Sequence, residues 1–96
     1  MANPLANWKY KKKQMLLDDN YIVLSGEPKW DEKRKLWVLQ HATKVDPASF
    51  IGKIFICNKK LYMCEDAKYV CDKPDNILIY MEEDDDLFIF LLKAKQ

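Results

Sequence analysis

Two apolar runs separated by five consecutive acids dominate the last quarter of this chain. Ile77-Leu78-Ile79-Tyr80-Met81 and Leu87-Phe88-Ile89-Phe90-Leu91-Leu92 flank Glu82-Glu83-Asp84-Asp85-Asp86. Each run is five or six residues long and rich in β-branched or aromatic side chains, which suits a strand, and an acidic break between two strands suits the tip of an antiparallel hairpin. Neither run alternates apolar with polar residues. Both faces of such a hairpin therefore need cover from a helix or from a second subunit.

Upstream, Asn3-Pro4 has the form of a helix start, since asparagine caps orphan amides and proline is tolerated in the first turn. Leu5, Trp8, Met15 and Leu16 then fall on one face of a short helix from about Pro4 to Leu16, with the lysines turned away. After the polar break Asp18-Asp19-Asn20, Tyr21 to Leu24 reads as a strand that ends in a bend at Gly26 to Pro28. Trp30 and Trp37 flank a charged loop, and a four-residue connection at Asp31 to Arg34 sets Trp30 near Lys35 or Leu36 across a hairpin, with the indoles packing diagonally. Asp46-Pro47 opens a single helical turn. Ile54 to Cys57 and Leu61 to Cys64 are strands joined at Asn58-Lys59-Lys60, where Asn58 adopts positive φ at little cost. A turn at Glu65-Asp66 leads to a further short strand, Ala67 to Cys71, and Asp72 to Asn76 is a turn into the hairpin described first. The expected fold is mainly β within the α+β class: an antiparallel meander of about six strands, rolled or closed into a partly open barrel, with a short N-terminal helix. Its 96 residues make a single domain, with residues 1–19 forming the helix and connector and residues 20–96 the sheet.

Charge is nearly balanced at +1, which argues against a general pull toward nucleic acid or anionic membrane. No N-terminal apolar run is long enough for a signal peptide or a membrane span, and three cysteines is an odd number. The expectation is a cytoplasmic protein with reduced thiols and no membrane association.

Several residue groups carry possible chemistry. Five adjacent acids supply oxygen ligands for a hard cation, but they lack the alternate spacing and the glycine of a calcium loop. They read instead as a solvated hairpin tip that keeps two aggregation-prone strands apart, and as an anionic patch for a basic partner. Cys57, Cys64 and Cys71 with His41 make a nominal Cys3His set. Six residues separate successive cysteines, where structural zinc sites use close pairs, so no metal or other cofactor is expected. No local motif supports a Cys-His nucleophile, and Gly26 and Gly52 stand too far apart for a phosphate loop. Trp8 with Lys9-Tyr10-Lys11-Lys12-Lys13 mixes aromatics and bases as single-strand nucleic-acid binders do, although a lysine face on a helix is ordinarily its solvated side. A possible pocket joins Trp30, Trp37, Tyr21 and His41, with Phe50 near, at one open end of the sheet.

No catalytic constellation stands out. The leading expectation is a small non-enzymatic protein-binding module of the inhibitor, immunity or adaptor kind, using a sheet surface and the acidic tip formed by Glu82, Glu83, Asp84, Asp85 and Asp86. Apolar strand faces and free sheet edges further predict a homodimer. The alternatives are a small-molecule pocket or weak enzyme lined by the tryptophans, and a single-stranded nucleic-acid binder.

Overall fold

A computed structural model describes residues 4–95, with side chains described from Tyr10 onward apart from that of Pro74. Asn3 and the side chains of Leu5, Trp8 and Lys9, which figure in the helix and nucleic-acid expectations above, lie outside what is described. The chain forms a helix α1 (Pro4–Leu17), strands β1 (Ile22–Leu24), β2 (Lys29–Asp31) and β3 (Leu36–Ala42), and a single 3-10 turn (Pro47–Phe50). Strands β4 (Ile54–Cys57), β5 (Lys60–Val70) and β6 (Lys73–Glu83) follow, and helix α2 (Asp85–Ala94) completes it. The six strands make one mixed sheet in the order β1-β4-β5-β6-β3-β2, with every pair antiparallel except β1 with β4. This is the mainly-β architecture with an N-terminal helix that the sequence implies. The sheet is open, and its two edges are the short strands β1 and β2.

Turn chemistry fixes the register. Asn58 and Lys59 both have positive φ, at 51° and 61°, so β4 and β5 join through a two-residue hairpin turn whose twist matches that of the strands. Asp46 Oδ1 accepts the Ala48 amide at 3.0 Å and Pro47 follows, which starts the 3-10 turn as expected. Gly26, at φ 117°, makes the bend after β1.

Three strand assignments need correction. The β2–β3 loop is Glu32 to Lys35, so Trp30 stands directly opposite Trp37 and not diagonal to it. Asp31 makes that loop by accepting the amides of Lys33 and Arg34 at 2.9 and 3.2 Å. Glu65-Asp66 is no turn: β5 runs straight through it, with Glu65 as the extra residue of a β-bulge between Cys64 and Asp66. Only Cys71-Asp72 turn the chain into β6, which already begins at Lys73.

Each face of the sheet has its own core. On the turn side, Leu39, Phe55, Tyr62, Ile77, Ile79 and Met81 are buried together, and Phe50 of the 3-10 turn closes over them with its ring 5.7 Å from that of Phe55. On the helix side, Ile54, Leu61 and Met63 pack against Leu16 of α1 and Leu87 and Leu91 of α2. The bulge switches the face parity of β5, so Cys64 and Ala67 both meet the turn-side core although they lie an odd number of positions apart, three. Beyond the reach of the helices, Tyr80 is buried on the helix side beneath two cations. The Arg34 guanidinium lies 4.6 Å and Lys68 Nζ 5.5 Å from its ring.

Candidate functional site

The largest departure from expectation lies at Leu87 to Leu92, which is helix and not strand. The hairpin after β6 therefore does not exist, and the five acids are not its tip. Glu82 and Glu83 end β6, Asp84 caps α2, and Asp85 and Asp86 occupy its first turn. Asp84 Oδ1 accepts the Leu87 amide at 3.0 Å, and negative charge in the first turn complements the positive end of the helix macrodipole. Lys93 in the last turn complements the other end.

Position along α2 decides what each apolar side chain meets. Leu87 and Leu91, four residues apart, share the face buried on the sheet. Phe88 and Phe90 pack at the flanks of that core. Ile89 and Leu92 point outward and are 49% and 52% exposed. Asp85, Ile89 and Lys93, spaced by four, run along this outer face, so it reads acid, apolar, base from one end to the other. Ile89 and Lys93 of this strip also form one wall of an open groove of about 430 Å³ between α1 and α2, whose lining includes Lys12, Lys13, Asp86 and Phe90. Lys13 Nζ sits 5.3 Å from the Phe90 ring.

A second, smaller cleft of about 220 Å³ lies next to the bulge, with Lys12, Ile51, Met63 and Glu65 in its wall. Burial first, and then the neighbouring Glu82 carboxylate, pushes Glu65 above the usual carboxyl range, while Lys12 acts in the opposite direction. Glu83, one residue on, instead pairs with Lys60 at 3.2 Å. The five acids thus have three different surroundings.

The proposed aromatic pocket is only half assembled. Trp30 and Trp37 meet edge to face with centroids 5.4 Å apart, and Trp37 meets Tyr62 at 6.3 Å. Trp37 belongs to the margin of the turn-side core, and Phe50 is buried within that core. Trp30 is 47% exposed, and its indole N–H donates to Glu32 at 2.6 Å. Tyr21 is on the other side of the sheet, packed against the helix-side core. His41 pairs with Ile77 four residues along β3 from Trp37, about 13 Å away.

The thiols are separated as well. Cys57 and Cys64 are buried under the turn-side core, whereas Cys71 is exposed in the β5–β6 turn. Burial raises the Cys57 thiol, which donates to the Gly26 carbonyl at 3.1 Å, and pushes Cys64 up to about 12. Burial thus favours the neutral thiol at both positions, which disfavours nucleophilic attack. Among the described residues, no three His, Cys, Asp or Glu side chains converge as a metal set. The surface that sequence reasoning missed is the outer face of α2. Its signals were Asp84 placed three residues before Leu87, acids in the first turn and Lys93 in the last. No family model, curated protein or solved structure matches this chain.

Proposed function

We propose that this is a non-enzymatic protein-binding module of the inhibitor, immunity or adaptor kind, acting in the cytoplasm, whose docking surface is the outer face of α2 and not the sheet. One observation carries the reading: the centre of α2, Leu87 to Leu92, is apolar all round, although only one side of it is buried by its own chain. Helices of that kind are ordinarily enclosed on every side, and an exposed apolar strip bordered by charge marks a contact surface. Asp85 and Asp86 border the strip at one end and Lys93 at the other, which supplies orientation as well as attachment. The sheet itself is a poor alternative, because a core covers much of each of its faces.

The test is a photo-crosslinking amino acid placed at Leu92, irradiated in cells of the protein's source. A discrete polypeptide adduct that disappears with Ile89→Glu is expected. An unreacted protein, or adducts indifferent to Ile89→Glu, would overturn the proposal.

A further inference from the structure

We infer that the partner seated on the outer face of α2 is a second copy of this chain, packed antiparallel about Ile89, with Asp85 of each copy facing Lys93 of the other. The inference rests on the docking face proposed above and names its occupant.

The argument is one of charge order. Asp85 lies four residues before Ile89 and Lys93 four residues after it, a separation of about 12 Å between the two charges along the helix axis. A two-fold axis through Ile89 reverses the helix and exchanges these positions. Both acid-to-base contacts then form at once, and Ile89 meets its own counterpart at the centre, as an isologous interface requires. A parallel arrangement would set like charges opposite each other at both ends. A partner of one sign fares little better, because it is attracted at one end of the strip and repelled at the other. A copy of the chain offers both signs in reversed order. Among the described residues neither Asp85 nor Lys93 has a salt-bridge partner within the protomer, so both are available. Leu92, half exposed beside the axis, widens the apolar centre. The contact is short, which places the dimer among weak, reversible assemblies.

Sedimentation equilibrium of the full chain from about 5 μM to 1 mM tests this with four proteins: wild type, Asp85→Lys, Lys93→Asp and the double reversal. Wild type is expected to dimerise, and each single reversal to weaken the dimer at least about tenfold by opposing like charges. The double reversal restores the two contacts with their signs exchanged and should return to within about threefold of wild type. A wild-type protein monomeric throughout, or single reversals without effect, overturns the inference. The mass of the Leu92 adduct separates this failure from failure of the docking face. Twice the chain mass supports the second copy. A different polypeptide overturns the second copy and leaves the docking face standing, and no adduct overturns both.

Discussion

The last strand and the last helix, β6 and α2, are built from similar apolar runs and meet the sheet in opposite ways. In β6, successive side chains serve different layers: Ile77, Ile79 and Met81 fill the turn-side core, and Tyr80 is buried on the other face under Arg34 and Lys68. In α2 only Leu87 and Leu91 are fully committed to the core, and Ile89 and Leu92 remain outside. A central strand has two faces to bury and a surface helix has one. Continuous apolarity is thus accounted for in β6 by the protein's own packing, whereas in α2 it exceeds what the protomer can use. The boundary between the two is chemical. Asp84 withdraws the Leu87 amide into a cap and starts a helix where continued alternation would have prolonged the strand.

Truncation to alanine across the two runs should separate them most sharply. Ile79→Ala removes side-chain volume from a fully enclosed site and should cost about 2–5 kcal/mol in urea denaturation. Ile89→Ala, measured at low micromolar concentration, should stay within about 0.5 kcal/mol of wild type. Equal losses at the two positions would erase the distinction drawn here. The boundary itself comes next: Asp84→Ala should destabilise the protein by about 1 kcal/mol, with the loss largely recovered in Asp84→Asn or Asp84→Ser. A cap variant indistinguishable from wild type would mean that packing alone selects the helix.

The smallest effect probes the end of β6, where acids are unfavourably placed, against the start of α2, where they are favourably placed. Burial and Glu82 raise Glu65 in the folded state, so the native protein binds more protons than the unfolded chain between the ordinary carboxyl value and the raised one. Stability from this site therefore falls as pH rises through that window and is recovered on acidification. Glu65→Gln should raise stability at pH 7, by less than about 1 kcal/mol because the site is largely solvated, and the gain should vanish below the ordinary carboxyl range. A gain that persists at low pH would assign it to packing and not to charge.

Much of the sheet is legible from local chemistry. The Asn58 turn, the Asp46-Pro47 start, the Gly26 bend and the Trp30–Trp37 hairpin all follow from residues whose dihedral preferences act over two or three positions. What escapes is set by competition between local and distant terms. Leu87 to Leu92 is a short apolar run that either element could use, and composition alone favours the strand. The acids that decide for the helix are equally readable as a hairpin tip, because their capping role depends on where the first turn begins. Glu65 is polar enough to suggest a turn, yet β5 absorbs it as a bulge because β6 continues to pair on both sides of it. The separation of Tyr21 from the tryptophans has a simpler reason. Tyr21 precedes β1 and lies on the opposite side of the sheet from Trp37, and face assignment across non-adjacent strands requires the strand order, including the parallel β1–β4 pair that no turn signal announces.

That strand order also governs when the fold can form. The two strands at the centre of the sheet, β5 and β6, are the last strands in the sequence, while both edge strands come from its first third. A chain emerging from the ribosome makes β1 some thirty residues before its partner β4, and the β2–β3 ribbon before the β6 strand on which it docks. A lone two-stranded ribbon is marginal in water. Nascent chains therefore carry β1 unpaired until β4 is made and the β2–β3 ribbon undocked until β6 is complete, so the two halves of the sheet join late and not by growth from the N-terminus.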